Sequence, residues 1–260
     1  MPPDAVPPDA VPPDAEPPNT EAPNDRLSTY RARRDFRHTT EPSGDSPAKG
    51  ASAPRRSRAK PKFVVQKHDA SRLHYDFRLE VDGVMKSWAV PKGPSLDPAV
   101  KRLAVPTEDH PLDYRTFEGT IPTEEYGGGT VLVWDAGTYR NVTEKGGSAV
   151  TMDDGLRHGH VSVELAGQKL KGRFALTRFR SEGQDRRGSK AAWLLVKQDD
   201  DQADPGSDVV ADQPDSVKTG RSLDDVAAGR RRSPGRASGA SSRSSGRQPT
   251  RRQSTRRRSA

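Results

Sequence analysis

"KHDASRLHYDFRLE", residues 67–80, is the stretch on which the reading of this chain turns. From His74 the residues alternate: His74, Asp76, Arg78 and Glu80 fall on one side, Tyr75, Phe77, Leu79 and Val81 on the other. A strand sends successive side chains to opposite faces, so the odd positions form a row fit for a core and the even positions a polar row. Asp82-Gly83 follows as a strong hairpin signal, and "VMKSWAV" (84–90) supplies the returning strand.

Strand signals continue outward in both directions. "KFVVQK" (62–67) precedes the stretch, and "GGTVLVWD" (128–135), "HVSVELAG" (160–167), "GRFALTRF" (172–179) and "AAWLLVKQ" (191–198) follow it, separated by glycine-containing turns. Many short strands of this kind predict an all-β fold, a small antiparallel β-barrel. "DRLSTYRARRDF" (25–36) is the one short helical candidate, and it forms an N-terminal helical arm. Gly127–Gly129 reads as turn glycine rather than a phosphate loop, because no Lys-Ser/Thr follows and the run leads into a strand.

Composition bounds the rest. Hydrophobic residues make up only 30% of the 260, enough for one modest core between Phe63 and Val196. There is no cysteine, which excludes disulfides and thiolate metal sites. No apolar run approaches the ~20 residues that span a bilayer, and the start lacks a signal-peptide apolar region, so a soluble, cytoplasmic protein is expected. Residues 2–16 read PPDAV, PPDAV, PPDAE, a repeat in which proline keeps removing the backbone donor. Residues 1–24 carry five acidic side chains and no basic one, whereas residues 221–260 carry twelve arginines against two aspartates. The chain's net charge of +8 is therefore a property of that last segment. A disordered, basic tail attracted to nucleic acid is expected there, with a solubilising extension as the alternative. The expected organisation is a disordered acidic repeat (1–26), an arm and linker (27–60), a barrel (61–203) and a disordered basic tail (204–260).

The polar row carries the chemistry. An Asp–Arg pair on the wet face of an antiparallel sheet is ordinary. The combination is less so: His74 and Asp76 share a face, and the turn-prone Asp-Ala-Ser after His68 brings that histidine back beside the strand. Two imidazoles and a carboxylate with open positions suit manganese, zinc or iron. Arg78, next on that face, meets an anionic substrate. Lys92, Lys101, Arg102, Glu108, Asp109, His110 and Tyr114 add residues of the type that phosphoryl chemistry uses, since that chemistry needs positioning and charge neutralisation more than covalent groups.

Taken together, "KHDASRLHYDFRLE", "WAVPKGPS", "KRLAV", "EDHPLDYRTFEGTIP", "YGGGTVLVWDAGTY" and "WLLVKQDDDQA" resemble the 3′-phosphoesterase domain of bacterial DNA ligase D, with "LSTYRARRDFRHTTEP" (27–42) similar to the arm before it. The resemblance covers residues 27–203 and suggests a stand-alone form of that domain. It implies that His68, His74 and Asp76 bind manganese, with other divalent transition metals as substitutes, that Arg78 and His110 engage the phosphate, and that Tyr114 supports the site. It further implies substrate contacts from Lys92 and Arg102, and a role for Arg34, Asp35, Glu41 and Glu108 in a diesterase step. The activity implied is removal of a 3′-terminal ribonucleotide and then of the 3′-phosphate, leaving a 3′-hydroxyl. The implied partners are DNA 3′ ends, including ribonucleotide-terminated primer-templates, together with DNA ligase and Ku-type end-joining proteins, in the cytoplasm at the nucleoid. Two other readings compete. One is a non-enzymatic nucleic-acid-binding accessory factor acting through the basic tail, and the other a metal-dependent esterase of small phosphorylated molecules.

Overall fold

The structure, a computed structural model, describes residues 26–45, 59–179 and 191–231. Among them are eleven strands: β1 (Lys62–Asp69), β2 (Leu73–Val81), β3 (Val84–Val90), β4 (Arg102–Pro106), β5 (Gly119–Ile121), β6 (Gly129–Asn141), β7 (Glu144–Lys145), β8 (Ser148–Ala149), β9 (His160–Gly167), β10 (Lys171–Phe179) and β11 (Ala192–Lys197). The order β1-β2-β3-β4-β11-β10-β9-β6 returns to β1 through a β1–β6 ladder, so eight antiparallel strands close a barrel. β5 extends the free edge of β6, and β7–β8 form a separate small hairpin. The long strand β6 serves three neighbours, pairing with β5 and β1 in its first half and with β1 and β9 in its second.

Local chemistry sets the corners. Asp82 and Gly83 both take positive φ, 48° and 85°, the backbone that lets a two-residue turn follow the twist of β2 and β3. The expected alternation of β2 is also present: Tyr75, Phe77, Leu79 and Val81 all enter one buried cluster with Phe63, Trp88, Trp134 and Phe174. β4 and β5, at five and three residues, are too short to show a period in sequence, and "KRLAV" stands out for its cations instead.

The opposite face of β1 and β2 departs from the expectation of a wet surface. Gln66, His68, Asp76 and Arg78 are buried there. A second layer covers them, built from the arm helix Ser28–Ala32 and the 3-10 turn Leu112–Thr116. Tyr30, Tyr114, Phe117, Ile121 and Val131 form its own small apolar cluster. The polar row is thus sandwiched between barrel wall and overlay, where each group needs a partner.

The expected disordered tail from residue 204 is corrected. Residues 204–231 cross the barrel with two short helices, Val209–Asp212 and Leu223–Ala227, whose Val209 and Val226 are buried in the main core. The first of the twelve arginines, Arg221, pairs at 2.7 Å with the buried carboxylate of Glu118. Two valines are a weak apolar signal among so many polar residues, and only the barrel supplies the surface they fill. The acidic repeat and residues 232–260 lie outside the described residues. Among the described residues, no helix is long and apolar enough to cross a membrane.

Candidate metal and phosphate site

The β1–β2 register pairs His68 with His74 and Gln66 with Asp76. The turn between the strands therefore does bring His68 back, as a cross-strand neighbour of His74. Ligand atoms of His68, His74 and Asp76 all lie within 4.8 Å of one another. Each imidazole is oriented by a backbone carbonyl. His68 Nε2–H donates to the carbonyl of Gly127 at 2.9 Å, and His74 Nδ1–H donates to that of Arg72 at 2.9 Å. The remaining nitrogens, His68 Nδ1 and His74 Nε2, face the two carboxylate oxygens of Asp76 at 3.7 Å each. Three lone-pair donors converge, with tautomers set by outer hydrogen bonds, and this is the arrangement a divalent cation needs. Burial opposes ionisation of Asp76, but Arg78 and the two histidines outweigh it and hold its carboxyl well below the usual range.

Glycine makes the His68 contact possible. A Cβ on Gly129 would come within 2.2 Å of the Asp69 carbonyl oxygen, and one on Gly128 within 2.5 Å of the Pro122 carbonyl oxygen. The run is turn glycine, as expected, and the close approach it permits delivers the Gly127 carbonyl to the metal-side histidine.

Arg78 is fixed on three sides. Its Nε donates to Gln66 Oε1 at 2.9 Å, and its two terminal nitrogens to Asp76 at 2.9 Å and Ser87 Oγ at 2.6 Å. Gln66 in turn donates to the carbonyls of Tyr114 and Phe117. Of the five N–H groups of a guanidinium, two remain for an anion.

The arm reaches the same place. Arg34 donates to Glu41 at 2.9 Å, to Glu108 at 3.1 Å and to His110 Nε2 at 3.4 Å. Glu41 also accepts from the Tyr114 hydroxyl at 2.9 Å. His110 Nδ1–H donates to the Glu108 carbonyl at 2.8 Å, which leaves its Nε2 as the acceptor. Desolvation first, then Arg78 and Arg34, push the His110 pKa well below the ordinary histidine value. Burial, then Glu41, pushes the Tyr114 hydroxyl well above its own. His110 is neutral and Tyr114 protonated at neutral pH.

Arg34, His68, His74, Asp76, Arg78, Glu108, His110 and Tyr114 line one cavity of about 280 Å³. Glu41 stands behind it as the partner of Arg34 and Tyr114. Asp35 is not brought in, being turned to Arg37 at 2.6 Å and to His38. Lys92 and Arg102 do not line the cavity either. Lys92 lies in the turn after β3 and Arg102 opens β4, at the end of β3 where Val90 pairs with Tyr75, the neighbour of His74. Sequence reasoning passed over Gln66, Ser87, Tyr30, Arg33 and Tyr126. Gln66 and Ser87 do share the alternation of the polar face, and that was the available signal.

One cavity thus brings together donors suited to a divalent cation and arginines held in fixed orientations, a charge pattern suited to an anion beside a metal. Comparison with known families makes this specific: residues 66–178 match the DNA ligase D 3′-phosphoesterase domain. The match takes in most of the barrel, from β1 to β10. The multifunctional non-homologous end joining protein LigD of Pseudomonas aeruginosa is 50% identical over 199 residues, 76% of this chain and 22% of that protein. The LigD proteins of Mycobacterium tuberculosis and Mycolicibacterium smegmatis are 48% and 46% identical over 155 and 154 residues. The chain thus spans about a fifth of the length of the curated relatives it matches.

Proposed function

We propose that the domain is a metal-dependent phosphoesterase that trims the 3′ ends of DNA during end-joining repair. It removes a terminal ribonucleotide and then the remaining 3′-phosphate, so that a ligase receives a 3′-hydroxyl. The single observation that carries this is the convergence of the free nitrogens of His68 and His74 on Asp76, beside the fixed guanidinium of Arg78. His68, His74 and Asp76 would hold a divalent cation, manganese by family resemblance, which would supply charge neutralisation and Lewis acidity at the phosphate. Arg78 offers its two spare donors to the phosphate. An incoming phosphate offsets the arginines that keep His110 neutral and raises its affinity for a proton. Its Nε2 is then placed to take a proton from the attacking water or return one to the leaving oxygen. Lys92 and Arg102 are assigned to flanking phosphates. The folded unit runs to residue 231, with the arm as part of the site. The surrounding DNA ligase and Ku-type proteins are the partners this activity serves.

The test is a primer-template ending in a 3′-phosphate, incubated with and without manganese, and with His74→Ala alongside. Conversion to a 3′-hydroxyl is expected only with metal, and His74→Ala should lose it while keeping the wild-type circular dichroism. Full activity of that variant at limiting manganese would overturn the ligand assignment.

A further inference from the structure

Tyr126 lines the cavity, yet no step above uses it. It is 48% exposed, whereas Tyr114, the other tyrosine of the lining, is 2% exposed. An exposed aromatic ring is common in itself, but this one is held in place. Arg33 donates to its hydroxyl at 2.7 Å, and the same Arg33 nitrogen donates to Glu108 at 3.0 Å. The Arg33 guanidinium also lies 4.8 Å from the ring centroid. Glu108 in turn accepts from Arg34, which touches His110. The ring is therefore tied through two arginines and one carboxylate to the phosphate side of the site. It directly precedes Gly127, whose carbonyl accepts from the metal-side His68. Ile121 and Ala70 supply further apolar surface in the same lining.

We propose that Tyr126 is the stacking platform for the base of the 3′-terminal ribonucleotide, and so a specificity-determining residue for the diesterase step. The proposal rests on the end-trimming reading above. A ribonucleotide whose phosphodiester sits at the metal ligands and Arg78 has its base one sugar away. A face of any base stacks on an aromatic ring without sequence preference, which suits an enzyme that meets all four bases. The pinned hydroxyl means that little rotamer freedom is lost on stacking.

The test couples ring to base. Wild type and Tyr126→Ala are assayed on primer-templates ending in an ordinary ribonucleotide and in one that lacks its base. Wild type should show a KM about tenfold lower for the base-bearing end, the scale of one base–aromatic stack. Tyr126→Ala should lose that preference, and Tyr126→Phe, which keeps the ring but not the hydroxyl, should retain most of it. Fluorescence of a terminal 2-aminopurine should be quenched on binding to wild type and to Tyr126→Phe, and not to Tyr126→Ala. If Tyr126→Ala prefers the base-bearing end as strongly as wild type, the platform is elsewhere and Tyr126 only anchors Arg33. A wild-type protein that removes no terminal ribonucleotide, but quenches 2-aminopurine through Tyr126, would overturn the diesterase reading and leave the platform standing.

Discussion

Residues 26–45 and residues 204–231 both pack onto the same barrel, yet with different shares of charge and apolar burial. The arm is bound through charge: Arg34, with 4% of its side chain exposed, is shared between Glu41 and Glu108, themselves at 0% and 4%. The C-terminal strap buries Val209 and Val226 in the main core, and its polar hold centres on the buried Glu118, which accepts from Ser216, Thr219 and Arg221. The lesson concerns what each can do. Buried ion networks are costly to assemble and demand one geometry, so a segment held by one delivers side chains to fixed positions. Apolar burial is not directional, and a segment held by it adds stability without presenting chemistry. The arm accordingly contributes Arg34 and Glu41 to the site, while the strap contributes no residue to its lining.

The sharpest way to break this comparison is to remove the strap. Ending the chain after residue 203 exposes what the two valines cover and should cost about 3–6 kcal/mol, at 1.5–3 for each buried valine. Ending it after Arg231 should change stability by less than about 0.5 kcal/mol, while flattening the salt dependence of DNA binding if the remaining arginines act as a tether. Urea midpoints of the two truncations decide this, and equal midpoints would make the strap mere surface dressing.

Next in size is Arg34→Met, which leaves Glu41 and Glu108 as buried carboxylates short of their shared partner. A cost of about 3–5 kcal/mol is expected for such a loss. The barrel does not need the arm for closure, so the cost should be relieved by release of residues 26–45 rather than by global unfolding. Limited proteolysis should then cut within the arm, and ribonucleotide removal should fall further than 3′-phosphate removal. An arm that stays protected in this variant would show that Tyr30 and its apolar neighbours hold it instead.

The smallest effect is the dependence on pH. His110 stays neutral when folded because burial and two arginines lower its pKa, but an unfolded chain protonates it below about 6.5. Where the unfolded state binds more protons, stability rises with pH, so this contribution is complete above about pH 6.5 and is lost as pH falls below it. The strap contains no histidine, so the dependence belongs to the arm side. Denaturant midpoints measured from pH 8 to pH 5 should decline on acidification, and His110→Gln should flatten the curve. An unchanged slope in that variant would place the titrating group elsewhere.

The barrel was legible because β2 obeys a two-residue period over nine positions and Asp82-Gly83 forces a particular turn. The metal-side trio was legible for the same reason, since His74 and Asp76 lie on one face and a short turn folds His68 back onto it. Asp35 lies outside the cavity lining because adjacency to Arg34 says nothing of direction, and a local bond to Arg37 turns it away. Tyr126 left no mark at all, for a tyrosine beside a glycine turn looks the same whether it is buried, free or pinned by Arg33.

From its sequence alone this protein is an antiparallel barrel with a polar row on one strand, because strand period and turn chemistry are local and act within a few residues. Whether that row faced water was decided only in three dimensions. Tyr30, Tyr114 and Phe117 come from segments far apart in the chain, and their joint packing lays a second layer over Asp76 and Arg78. The same holds for the strap, whose two valines bury only against a core assembled from strands up to about 160 residues away. Burial is a property of the assembled surface, and it is burial that neutralises His110, strengthens every bond to Arg78 and makes the polar row a site.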